Sequence, residues 1–110
     1  MEIVRQEVGA IVLFALNGRL DTNTATDLEK TLLQEINRNT NKIVIDCAGL
    51  DFITSSGLRV LLLAAKKLKA IDGKVVLCTL QEHVKNIFEV AGFTMLLSIY
   101  PSRQQAIDAI

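Results

Sequence analysis

Between Gly9 and Asn17 the chain reads Ala10-Ile11-Val12-Leu13-Phe14-Ala15-Leu16, an apolar run with no polar side chain at alternate positions. A strand with one face in water alternates apolar and polar residues, so a run like this must be covered on both faces. The arrangement that achieves this is a largely parallel sheet with helices packed on it. Lys42-Ile43-Val44-Ile45-Asp46 and Lys74-Val75-Val76-Leu77-Cys78 have the same character. The first segment, Glu2-Ile3-Val4-Arg5-Gln6-Glu7, does alternate, and Val8-Gly9 joins it to the apolar run as an edge strand in a hairpin.

Elsewhere the apolar period becomes helical. Ala25, Leu28, Leu32 and Ile36 share one face, while Asp27, Glu29, Lys30, Gln34, Glu35 and Arg38 lie off it and are assigned to solvent. Leu58, Leu61, Leu62, Ala65 and Leu68 form a second core stripe, and Val84, Ile87, Phe88 and Ala91 a third. Strands alternating with helices after an initial hairpin predict one α/β domain over residues 1–110, a mixed sheet of about four to five strands with about four helices and right-handed crossovers.

The boundaries follow from turn chemistry. Asn17-Gly18-Arg19-Leu20-Asp21 is predicted to turn the chain out before a helix whose cap is one of several Thr and Asn residues, and which ends near Asn39-Thr40-Asn41. Cys47 to Ile53 is expected to be a connection. Asp72-Gly73 ends the next helix, with Gly73 suited to a left-handed cap. Thr79-Leu80-Gln81-Glu82 has the form of a capping box, and Gly92 stops the helix that follows. Phe93 to Tyr100 has room for a short last strand, and Pro101-Ser102 opens a final helix.

Composition narrows the chemistry. Twelve basic and twelve acidic residues cancel, which disfavours nucleic acid and anionic membrane as partners. The longest apolar run of the second helix, Leu58 to Ala65, is interrupted by Arg59 and is too short to cross a bilayer; with no basic-then-apolar leader, the chain reads as soluble and unexported. Cys47 and Cys78 close two apolar segments and are expected to be small buried side chains in a reducing compartment, neither bridged nor metal-bound. The single His83 stands at no ligand spacing from them. No Ser-His-Asp order, metal pair or glycine-rich phosphate loop is visible, so no catalytic residue, metal or cofactor is assigned.

One stretch remains to be explained. Directly before the second helix stands Thr54-Ser55-Ser56-Gly57, hydroxyl groups beside the unpaired N–H groups and partial positive charge of a helix N-terminus. Such a corner suits an anion or a phosphoryl group on its own serine; plain capping is the alternative. Val60, Leu63, Ala64 and Ile71 form a second apolar stripe that either packs against a neighbouring helix or meets a partner. Asp21 has two readings, a turn or cap residue and a partner contact. Asp46 is expected to bond backbone in the following loop, and His83 to be a surface residue.

Gly18-Arg19-Leu20-Asp21, Ile43-Val44-Ile45-Asp46, Phe52-Ile53-Thr54-Ser55-Ser56-Gly57-Leu58 and Val84-Lys85-Asn86-Ile87-Phe88-Glu89-Val90-Ala91-Gly92-Phe93, in that order and spacing, resemble the anti-sigma-factor antagonist family, the stand-alone STAS domain. The resemblance implies a cytoplasmic regulator rather than an enzyme, a monomer or weak homodimer. Its partners would be an anti-sigma factor that is also a serine kinase, and a phosphatase. In the family the motif is Asp-Ser-[Ser/Thr]-Gly, and the serine after the aspartate is phosphorylated. Carried over, Ser55 is the phosphoacceptor, and Asp21, Thr54, Ser55, Ser56, Gly57, Val60, Leu63 and Ala64 form the partner surface. Thr54 stands where the aspartate is usual. That departure keeps open a non-phosphorylated STAS adaptor that docks on a transporter ATPase.

Overall fold

The computed structural model describes residues 1–110, Met95 by its backbone alone. Its elements run β1 (Glu2–Val8), β2 (Ile11–Leu20), α1 (Thr22–Asn37), β3 (Lys42–Ile53), α2 (Ser55–Lys69), β4 (Lys74–Cys78), α3 (Glu82–Val90), a 3₁₀ turn (Phe93–Met95), β5 (Ser98–Tyr100) and α4 (Arg103–Ala109). The five strands lie in the order β1-β2-β3-β4-β5. The β1–β2 hairpin is antiparallel and every later pair is parallel.

This order decides where the helices go. From β2 onward each strand is added on the same side of the one before it, and right-handed crossovers then bring α1, α2 and α3 onto a single face. The main core lies there: Phe14, Leu16, Ile43, Ile45, Cys47 and Leu77 from the sheet meet Leu28 and Leu32 of α1, Leu61 and Leu68 of α2, and Val84 and Phe88 of α3. Alternate residues of the same strands, Leu13, Val44, Val76 and Cys78, form a smaller core on the other face with Ala106 of α4. The unbroken apolar runs are thus explained, since each strand is buried twice.

Cys47 and Cys78 are both free and buried, and they belong to the cores on opposite faces, so the sheet itself separates them. Burial also holds the Cys47 thiol well above its ordinary pKa. Asp46 bonds the following loop as expected, its Oδ1 accepting from the Ala48 N–H at 3.0 Å. Its Oδ2 in addition receives Arg103 Nε (2.9 Å) and Nη2 (2.8 Å), which fastens α4 to the sheet.

Several expectations are corrected. β2 continues through the predicted turn to Leu20, and β3 through the predicted connection to Ile53, because the two extensions pair with each other past irregularities at Ala15/Asn17 and Gly18/Arg19. Glu35 is buried, not solvated, and is held by Arg5 and by the Thr40 hydroxyl (2.9 Å). The Thr79 capping box does not form: α3 begins at Glu82 with no side-chain cap, and Thr79 has left-handed backbone (φ 61°), its N–H donating to Tyr100 O. The left-handed residue after α2 is Asp72 (φ 57°). Gly73 is required for space instead, since a Cβ there would lie 2.6 Å from Asn41 O.

Candidate functional site

The extended β2 and β3 end side by side, with Leu20 opposite Ile53. Each passes directly into a helix, so two N-caps, Asp21 and Thr54, stand together and the N-termini of α1 and α2 converge. The Thr54 N–H donates to Leu20 O at 3.0 Å, and Thr22 Oγ1 and Ser56 Oγ lie 3.4 Å apart across the gap.

The two caps differ in strength. Asp21 Oδ1 accepts from the N–H groups of Asn23 and Thr24, both at 3.0 Å, while Thr24 Oγ1 accepts from the Asp21 N–H at 2.8 Å, a reciprocal capping box. The Thr24 N–H, ahead of the Thr24 hydroxyl, the Asn23 N–H and the charge of Arg19, holds the Asp21 carboxyl below the usual carboxylate range. Asp21 therefore takes its capping role in full. Thr54 Oγ1 accepts from the Gly57 N–H at 3.4 Å and donates to Leu20 O at 3.4 Å, a looser cap that carries no charge. Arg19 lies over the Phe52 ring, 4.0 Å from its centroid, where the two strands end.

Ser55 is the first helical residue of α2 and is exposed; Ser56 is half-buried against α1. Gly57 is buried because the helix start rests on Leu20: a Cβ would stand 2.6 Å from Leu20 Cγ and 3.1 Å from Ile53 Cγ1. Its function is to let α2 approach the strand ends, and no partner can reach it. The same correction applies to Val60 and Ala64. Both are buried in the main core with Ala25, Leu28 and Leu32, because α1 packs on α2 and takes up that stripe. Leu63 is half-buried, and Ile71 is exposed beyond the end of α2.

The open apolar surface lies on the other flank of α2. Ser55 and Leu58 together with Asn86, Ile87, Val90 and Ala91 of α3 line a groove of about 430 Å³ whose walls are almost entirely apolar. Val90 at its edge is 91% exposed. Sequence reasoning assigned Ile87 and Ala91 to the core and passed over Val90; the available signal was that Val90 falls off the buried stripe of Val84 and Phe88 yet is apolar. The α3 helix that forms this wall is held by two side chains at its start: Gln81 Nε2 donates to Ala48 O (3.0 Å), and His83 Nε2 bonds Asp51 O (2.7 Å). His83 is exposed, as expected. A larger cavity of about 680 Å³ lies between α3 and β5 and shares no lining residue with this corner.

Among the described residues no cluster of His, Cys, Asp or Glu is arranged to hold a metal ion, and no helix is long and apolar enough to cross a membrane. The corner thus sets an exposed serine at a helix start, next to the N-cap Thr54, beside an apolar groove on an α/β scaffold. The chain belongs to the STAS domain family, whose model matches residues 2–106, and within it to the anti-sigma-factor antagonists, which are regulators and not enzymes. It is 34% identical over 109 residues to BtrV of Bordetella bronchiseptica, described as a candidate anti-sigma factor antagonist, with 99% of this chain and 94% of that protein covered. The fold superposes on a candidate anti-sigma factor antagonist from Thermotoga maritima with a TM-score of 0.93 at 21% identity, covering 98% of this chain and 93% of that one. It also superposes on the phosphorylated form of the Bacillus cell fate determinant SpoIIAA, with a TM-score of 0.77 at 21% identity over 98% of each chain.

Proposed function

We propose that this chain is a cytoplasmic anti-sigma-factor antagonist of the partner-switching kind. While Ser55 is unmodified it binds an anti-sigma factor that is also a serine kinase; phosphorylation of Ser55 releases it, and a phosphatase resets it. The observation that carries this reading is the exposed Ser55 hydroxyl on the first residue of α2, at the mouth of the groove formed with α3. Likeness to BtrV along 99% of the chain supports the same class of partner.

A phosphoryl group on Ser55 would bring about 1.5 to 2 negative charges to a helix N-terminus, where the dipole and the free N–H groups favour them. The domain therefore keeps its fold on modification. What changes is the surface of Thr54, Ser55, Ile87 and Val90 that a partner packs against: an apolar contact acquires a strongly hydrated anion beside it, and the desolvation cost expels the partner.

Thr54 carries a second reading. Its uncharged cap lacks the carboxylate usual at that position, which favours an adaptor that uses the same groove without being phosphorylated. Intact-mass and peptide-level mass spectrometry of the protein from its native cells, with a Ser55→Ala control, tests the two together. A phosphate on Ser55 that disappears in the control is the expected result. Its absence across growth and stress conditions, beside a stable co-purifying ATPase, would establish the adaptor instead.

A further inference from the structure

Arg59 stands four residues after Ser55 on α2, and both side chains are exposed. Residues four apart on a helix lie one above the other, and an anion N-terminal to a cation is the favourable order. The other arginines are already engaged. Arg5 and Arg38 bond Glu35, Arg103 bonds Asp46, and Arg19 lies over Phe52. Of the chain's five arginines, Arg59 alone has no ion pair or aromatic partner among the described residues. Its own helix offers none either: the positions three and four residues away are Ser55, Ser56, Leu62 and Leu63, and the first turn holds no acid.

We infer that Arg59 is the internal counter-ion of a phosphoryl group on Ser55, an inference that rests on Ser55 being the phosphoacceptor. The guanidinium fork matches phosphate oxygens in geometry and binds them through charge-assisted hydrogen bonds. In the unmodified protein that cation is free next to Leu58, a residue of the groove wall. Phosphorylation then does two things to this face: it adds an anion and it withdraws a cation from any partner carboxylate that used it. Lysine in the same position would supply the charge without the fork, and glutamine neither.

The test uses protein in which phosphoserine is installed at position 55 during synthesis, so that no kinase or partner is required. The phosphorus resonance is followed through its second ionisation, near pH 6 for a free phosphoserine. The cation favours the dianion, so the midpoint in the Arg59 protein is expected about 0.2 to 0.4 pH units below that of R59Q. R59K should keep part of the shift, and high salt should shrink it. Coincident titrations of the Arg59 and R59Q proteins would overturn the inference. Since the phosphate is supplied in the synthesis, a measured shift together with an unphosphorylated Ser55 in cells would sink the proposed function and leave the Arg59 contact standing.

Discussion

Replacing Gly57 by alanine adds one methyl group where there is no room for it. The new Cβ would stand 2.6 Å from Leu20 Cγ, 2.9 Å from Leu20 Cδ2 and 3.1 Å from Ile53 Cγ1, whereas carbon atoms in contact settle at about 3.5 to 4.0 Å. Relief of roughly 1 Å is therefore needed, and Leu20 and Ile53 are themselves 0% and 3% exposed, with nowhere to swing. Overpacking of this kind costs about 1 to 3 kcal/mol. Helix propensity returns at most about 1 kcal/mol, and less in a first turn. The expected net loss is about 1 to 2 kcal/mol, or a fall in Tm of roughly 4 to 10 °C for a domain of this size. The chain has no tryptophan, so unfolding in urea is best followed by far-ultraviolet circular dichroism. Leu20→Ala alone should cost about 2 to 5 kcal/mol. In the double variant the two contacts with Leu20 are gone and only that with Ile53 remains, so its loss of stability should fall short of the sum of the two single losses by about 1 to 2 kcal/mol. Strict additivity, or a G57A protein more stable than the parent, would refute the view that α2 is seated by contact between Gly57 and Leu20.

Val90→Lys should leave stability within about 0.5 kcal/mol, as expected for an exposed side chain, yet abolish binding to a co-purified partner; unchanged binding in a pull-down would remove the groove from the interface. Glu35 has its carboxyl pKa lowered first by the hydrogen bond from Arg5 and then by that from Thr40, against the opposing effect of burial. A lowered folded-state value means that its contribution is complete above the unfolded-state pKa, near 4.3, and is lost as pH falls through the folded value. Urea midpoints of the parent should accordingly drop more steeply below about pH 4.3 than those of E35Q; parallel curves would show that the Glu35 carboxylate contributes no pH-dependent stability.

The strands, the helices and the serine corner were legible because each has a local cause: unbroken apolar runs, a 3.6-residue period, and hydroxyl groups at a helix start. What escaped was set by pairing across the chain. Nothing in Asn17-Gly18-Arg19-Leu20 or in Cys47 to Ile53 reads as strand alone; each is one because the other lies beside it. The same holds for Glu35, which no helical period assigns to the interior and which is buried because Arg5, 30 residues earlier, reaches it. At the site, Val60 and Ala64 and the Ile87–Val90 wall are both apolar flanks, and only the packing of α1 decides which flank of α2 is covered and which is open.

The strand order has a consequence for how the molecule is made. Every strand pairs with the strand synthesised just before it, so a chain leaving the ribosome at roughly 5 to 20 residues per second finds each partner already in place. The exception is α4, whose Arg103 reaches back 97 residues to Gln6 and 57 to Asp46. Until that helix emerges, Leu13, Val44 and Val76 face water on an otherwise assembled sheet. With β1 to β5 paired and α4 not yet docked, the sheet has one apolar face bare, the state in which a nascent-chain chaperone would find most to hold.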